Sequence, residues 1–254
     1  MDIRGNTILI TGSGTGIGRG LAEALHARGN RVIIAGRRAG PLEEVARAVP
    51  GVTTAILDVA DAHAIAPFAA RVAADHPELN VVIHNAGIMR AEDLAADAYD
   101  LADAEATVAT NLLGPIRLTA ALFPHLKSRP KATIMTVSSG LAFVPLAFTP
   151  TYCATKAAIH SWSQSLRAQL RDTNVEVTEL APPAVATELM PGHDHDARSM
   201  PLDAYIAEVM ALLEANPATP EILVERVEPL RFAEREGRYD EMFAMLNGRH
   251  RLAE

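Results

Sequence analysis

The sequence predicts an α/β protein: a doubly wound parallel sheet of six or seven strands with helices on both faces. Three observations carry this. Short β-branched runs alternate with longer helical patterns from end to end. Runs such as TILIT (7–11) and RVIIA (31–35) are apolar on both faces, as strands covered by helices on each side must be. A glycine-rich turn, TGSGTGIG at 11–18, joins the first run to the first helical pattern.

The elements follow in order. Ile17, Leu21, Ala24 and Leu25 form the i, i+4, i+7, i+8 stripe of an amphipathic helix between the first two strands. Residues 52–57, 81–84, 133–138 and 175–180 repeat the strand type. Helices are expected over about 102–123 and 152–171. Beyond Leu180, Pro182, Pro183, Pro191 and Pro201 cut the chain into an irregular excursion. A helix is expected again over 202–213, and a short last strand over 222–224. With no Pro/Gly/Ser-rich linker and no internal repeat, residues 1–254 read as a single domain. Within it, 183–215 is a substrate loop or lid and 226–254 a helical tail whose packing partner the sequence does not reveal.

Composition narrows the function classes. Of the 254 residues 49% are hydrophobic and 21% charged, enough apolar material for a full core. A net charge of -8 with scattered arginines argues against a nucleic-acid surface. No unbroken apolar run approaches the roughly 20 residues of a membrane span, and the N-terminus lacks a signal-peptide core. The lone cysteine, Cys153, excludes an internal disulfide. These features point to a reducing compartment, the cytoplasm.

The glycine turn has the context of a Rossmann-type dinucleotide site: strand before, amphipathic helix after. Gly12, Gly16 and Gly18 let the backbone approach a pyrophosphate. Ser13, Thr15 and Ile17 lie between them, and the following helix N-terminus offers free N–H groups. The G-x-x-x-G-x-G spacing is looser at the front than the usual fingerprint. Past the second strand stand Arg37 and Arg38, with no carboxylate. Two guanidinium groups there favour the 2′-phosphate of NADP(H); if both are merely solvated, NAD(H) binds through other contacts. Asp58, followed by Val59, either accepts a bond from the adenine amino group or caps the local backbone.

Tyr152 and Lys156 are four residues apart, so on a helix both emerge on one face. They lie one element after the fifth strand, whose end carries Ser138 and Ser139. Reactive ligands in open parallel sheets sit beyond those carboxyl ends. The motifs together resemble the short-chain dehydrogenases/reductases over essentially the whole chain. TGSGTGIG matches that family's TGxxxGxG, HNAG at 84–87 is similar to its NNAG, Asn111 matches its structural Asn, and YCATK at 152–156 matches its YxxxK. ILITG, VIIAGRR, NAGIMRAEDL, SSGLAF and ELAPPAV look most like the oxidoreductases named after D-alanylation operons of Gram-positive bacteria.

The resemblance implies an oxidoreductase interconverting a ketone or aldehyde and its alcohol, commonly as a homodimer or homotetramer. Tyr152 would be the general acid or base. Lys156, with the charge of an oxidised nicotinamide, would lower the Tyr152 pKa and hold the nicotinamide ribose. Ser139 would hold the substrate oxygen and Asn111 a proton relay. Asn85, Ala86 and Gly87 would flank the cofactor, with Pro182, Val185 and Thr187 at the carboxamide. Serines 138 and 139 also suit a strand end and cap, and Asn111 a structural amide.

Two departures stand out: His84 replaces the first Asn of NNAG, and Pro183 replaces the Gly of the usual Pro-Gly turn, removing a backbone donor. Cys153 is expected to face away as a packing residue. His193-Asp194-His195-Asp196 alternates in a proline-bounded loop and reads as solvated, with no metal site. Leu141, Phe143, Val144, Leu146, Met89, Met190 and the loop 191–200 are expected to edge the substrate pocket. That set suits a small or medium hydrophobic carbonyl. The alternatives are a catalytically idle dinucleotide-binding redox sensor on the same fold, and a cofactor-recycling chemistry such as epimerisation, for which the chain lacks a larger substrate domain.

Overall fold

The computed structural model describes residues 1–96, 98–190, 196 and 198–248. Seven strands, all parallel, form one sheet in the order β3-β2-β1-β4-β5-β6-β7. These are β1 (Thr7–Thr11), β2 (Arg31–Gly36), β3 (Thr53–Ile56), β4 (Leu79–His84), β5 (Ala132–Val137), β6 (Val175–Leu180) and β7 (Glu221–Ile222). The order reverses between β1 and β4, and in such sheets the crevice beyond the strand ends at that switch binds the ligand.

Central strands are buried throughout, β1 and β5 at every residue. β3 departs from the expected type: it is an edge strand paired only with β2, and Thr53, Thr54 and Ile56 are exposed. Helices α1 (Gly16–His26) and α7 (Leu202–Ala215) cover one face with Leu21, Leu25, Val209 and Leu213. α3 (Ala62–Asp75) and α5 (Gly114–Lys127) cover the other with Phe68, Val72, Leu118 and Leu122. α2 (Ala39–Ala48) packs Leu42 and Val45 beneath β2.

The helix expected over 102–123 runs from Ala102 to Lys127 but is not uniform. α4 (Ala102–Val108) passes through one π turn, Ala109–Leu113, into α5. By length and mean hydropathy (1.2) this helix is apolar enough to cross a membrane. The average hides a division: Leu118, Leu122 and Leu126 enter the core, while Asp103 and Glu105 are exposed. The other long helix, α6, spans Pro150–Leu170.

The tail forms α8 (Glu228–Arg231) and α9 (Tyr239–Asn247), and its packing partner is the loop after β5. Val144 is buried against Ala233 and Met242, and Asn247 holds Pro145 O and Ala147 N at 3.1 and 2.6 Å.

Candidate active site

The glycine turn is built from conformations that only glycine adopts readily. Gly12 and Gly16 have φ of 66° and 55°. A Cβ on Gly12 would stand 2.6 Å from Ala86 Cα, so the β1 and β4 loops touch backbone to backbone. Asn85 ties them further, its amide donating to Thr11 O and Gly12 O at 3.0 Å each. At the N-terminus of α1, Thr15 makes no side-chain cap and the first turn carries no acidic residue. The first N–H groups of that helix are therefore left for an anion.

β2 delivers Arg37 and Arg38 to the same side. α2 starts directly after Arg38, again without a side-chain cap or an acidic first turn. Arg37 stands 3.9 Å from Asp58, and Asp58 also accepts from Ala60 N at 2.9 Å. The capping role weighed for Asp58 is thus present in the structure.

At the other end, the π turn swings Asn111 inward, consistent with the frequent placement of such turns at functional sites. Its carboxamide accepts from Ile88 N and donates to Ile88 O, both at 2.9 Å, and donates to Thr155 Oγ1 at 3.2 Å. The structural role is the one these contacts display. Tyr152 and Lys156 share one face of α6, with the ammonium 5.5 Å from the tyrosine ring centre. Lys156 donates to Val137 O at 2.7 Å. Ser139 is extended and accepts from Leu141 N at 3.1 Å.

Burial raises the Tyr152 pKa well above its ordinary value, and a hydrogen bond with Ser139 offsets only part of this. Burial pushes Lys156 down to about 8, with Glu179 acting in the opposite direction. The protein alone therefore holds Tyr152 as a phenol and leaves Lys156 able to titrate near neutrality.

One cavity of about 1160 Å³ joins these parts. That exceeds a typical single-ligand pocket. Gly12, Thr15, Gly16, Ile17, Arg37, Arg38, Asp58 and Val59 line one end; Asn85, Ala86 and Gly87 lie between; Ser139, Tyr152, Lys156, Pro182 and Val185 line the other; and Thr187, also in the lining, stands against Gly16, 3.4 Å from where a Cβ there would be. Three expected site residues stand back from it. Ser13 is fully buried, its hydroxyl donating to Ile10 O at 2.7 Å and accepting from Ala35 N at 3.0 Å, so it fastens the turn to β2. Gly18 is a packing position, where a Cβ would stand 2.4 Å from Asn85 Nδ2. Asn111 lies behind Gly87.

Pro183 lines the cavity, and Gly140 N donates to Pro182 O at 2.8 Å, so the second proline leaves this turn anchored. Met89, Leu141, Leu146, Leu189 and Met190 form the apolar wall at Tyr152. Phe143 and Val144 do not join it. Phe143 packs edge-on against His160 and beneath Arg231, and Val144 turns to the tail. Cys153 is buried, with Leu146 N at 3.3 Å from its sulfur. His84 is buried and neutral, pushed down to about 3 by burial, and bonds Thr119 Oγ1 at 2.8 Å. His193, Asp194 and His195 lie outside the described residues, while Asp196 forms a fork with Arg198.

Sequence reasoning missed two features. The tail contributes Leu230, Met245 and Leu246 to the cavity. Glu92 fastens the α6 N-terminus by accepting from Thr151 N at 2.9 Å, Thr151 Oγ1 at 2.7 Å and the Tyr99 hydroxyl. Burial pushes its carboxyl up, but these hydrogen bonds outweigh that and hold it below the usual range.

The family model described as short chain dehydrogenase matches residues 6–198. The chain is 41% identical over 251 residues to the oxidoreductase DltE of Bacillus subtilis, covering 97% of this chain and 98% of that one. It is 30% identical over 227 residues to the NADP-dependent 3-hydroxy acid dehydrogenase of Schizosaccharomyces pombe, covering 87% and 85%. A short chain dehydrogenase from Burkholderia cenocepacia, solved in complex with NADP, superposes with a TM-score of 0.80 at 27% identity, covering 97% of this chain and 99% of that one.

Proposed function

This chain belongs to the short-chain dehydrogenase family and is an oxidoreductase acting on CH–OH/C=O groups, and we propose that it reduces a small or medium hydrophobic ketone or aldehyde with NADPH. The observation that carries this is the single cavity with a phosphate-ready glycine turn at one end and Ser139, Tyr152 and Lys156 at the other.

The residues present fit a dinucleotide. The uncapped α1 N-terminus and Gly12 would take the pyrophosphate, Arg37 and Arg38 the 2′-phosphate, and Lys156 the nicotinamide ribose. When bound, the nicotinamide supplies the hydride. Tyr152, held as a phenol by burial, is in the state that gives a proton to the carbonyl oxygen. Ser139 donates to that same oxygen as negative charge grows on it. Lys156 as ammonium favours the tyrosinate left behind, and Asn111 keeps the loop after β4 at Lys156. The apolar wall of Met89, Leu141, Leu146, Leu189 and Met190 supports an uncharged substrate. The solved neighbour's NADP and the NADP dependence named for the yeast relative support the cofactor reading.

Residues 1–254 act as one domain in this reading, with 183–215 as the substrate segment, its loop anchored by α7, and the enzyme works in the cytoplasm as a homodimer or homotetramer. The test is consumption of NADPH and NADH over a panel of aldehydes, ketones and diketones. Tyr152→Phe is expected to lower turnover by about 10²–10⁴-fold while cofactor still binds. Arg37→Ala is expected to erode the preference for NADPH. Unchanged turnover in Tyr152→Phe would overturn the role given to Tyr152, cofactor binding without turnover of any carbonyl would favour a binding protein, and a phosphorylated sugar as best substrate would overturn the hydrophobic reading.

A further inference from the structure

On β6, Val175, Val177 and Glu179 point to one face. The two valines enter the apolar core, and Glu179 lies at the carboxyl end of that row with its side chain 1% exposed. A carboxylate there is unfavourable unless neighbouring charge compensates for lost water. His160 on α6 stands with Nδ1 at 3.0 and 2.9 Å from its two oxygens. Gln164 Nε2 lies 3.0 Å from the other ring nitrogen.

Lys156 lies one turn before His160 on the same helix face. Its ammonium is bonded to Val137 O, and Val137 follows Thr136, the residue opposite Glu179 in the β5–β6 register. Among the described residues Lys156 has no carboxylate bonded to it, and Glu179 is the anion that acts on it. The remaining charged groups of this cluster are otherwise engaged. Glu221, opposite Glu179 on β7, forms a fork with Arg231 of α8 at 2.8 and 3.0 Å. Arg167 of α6 donates to Val177 O and Pro220 O. Oxygen and nitrogen atoms of His160, Glu179 and Glu221 lie within 4.8 Å of one another, but the cation this group holds is Arg231.

We propose that Glu179 is a positioning residue for Lys156: its fixed negative charge keeps the buried lysine an ammonium beside Tyr152, and His160 holds that carboxylate in place. The proposal rests on the catalytic reading of Tyr152 and Lys156 given above. It extends the supporting groups of the site from the cavity wall along one face of the sheet to β7 and α8.

Three lysines, Lys127, Lys131 and Lys156, make the test direct. The full chain is labelled with ¹³C at lysine Cε, and each resonance is followed between about pH 6 and 11. Lys156 is assigned with Lys127→Arg and Lys131→Arg. In Glu179→Gln the Lys156 midpoint is expected to fall by about one pH unit, tenfold in the acid constant. The alkaline limb of kcat falls with it, while the KM for the carbonyl holds. Glu179→Asp, which keeps the charge, restores most of both.

If Glu179→Gln does not fold, the double variant Glu179→Gln/His160→Gln, which puts two amides where the carboxylate and imidazole meet, is read the same way. An unmoved Lys156 midpoint overturns the proposal and leaves the catalytic reading standing. Full turnover in Tyr152→Phe overturns the catalytic reading, and this proposal with it, whatever the lysine does.

Discussion

At the scale of single residues, the site depends on how burial shifts groups that water would leave alone. His84 shows the effect apart from catalysis. Its folded pKa is about 3 against 6.5, so the folded state binds fewer protons than the unfolded one between those values. Stability contributed by neutral His84 is therefore complete above pH 6.5 and lost as pH falls toward 3. Each pH unit in that window removes about 1.4 kcal/mol. His84→Asn, which restores the residue expected in NNAG, should be less stable at pH 7 by roughly 1–3 kcal/mol through the lost Thr119 contact. By pH 5 that deficit should shrink by about 2 kcal/mol in urea titrations. A deficit independent of pH would mean that His84 does not stay neutral. Tyr152 and Lys156 follow the same rule in the cavity, where the uncharged phenol is favoured and the ammonium needs a neighbour.

Among elements, the β1–α1 turn carries the sharpest constraint. Gly12→Ala is expected to lower Tm and weaken NADPH binding at least about tenfold, since positive φ and contact with Ala86 backbone both oppose a Cβ. Gly40→Ala, in α2 with nothing within 4 Å, should leave binding intact and stabilise by at most ~1 kcal/mol. Equal effects of the two on fluorescence titration and thermal melting would refute the argument. The turn was legible because glycine spacing is a local backbone requirement, and Tyr152 with Lys156 because helical spacing fixes a shared face. Side-chain direction within the turn was not legible: Ser13 has the same neighbours in sequence as Thr15 yet points inward to Ala35. The π turn at Asn111 leaves no mark in a hydrophobic pattern of period 3.6. Glu179 had a signal, a carboxylate in step with Val175 and Val177 on the inward face of a strand. The contact of the tail with residues 145–147 joins segments about a hundred positions apart, which no local pattern reports.

For the whole molecule, we propose that the two long helices, Ala102–Lys127 and α6, meet another copy through their outer sides, where Ile116 and Trp162 are half-buried and Ala120 is exposed. Light scattering at micromolar concentration should give the mass of a dimer or tetramer, and a monomer mass would contradict that assembly. The strand order carries a different consequence, for how the chain is made. β1 is synthesised before both of its neighbours; β2 follows closely, from Arg31, and β3 ends at Ile56. Its other neighbour, β4, begins only at Leu79. A half-sheet of β1, β2 and β3 formed in that interval would hold the glycine turn while the open side of β1 offered unpaired N–H and C=O groups to any passing strand. The switch point that makes a crevice in the finished fold would then also be the exposed seam of that half, and the place where a chaperone would have most to protect.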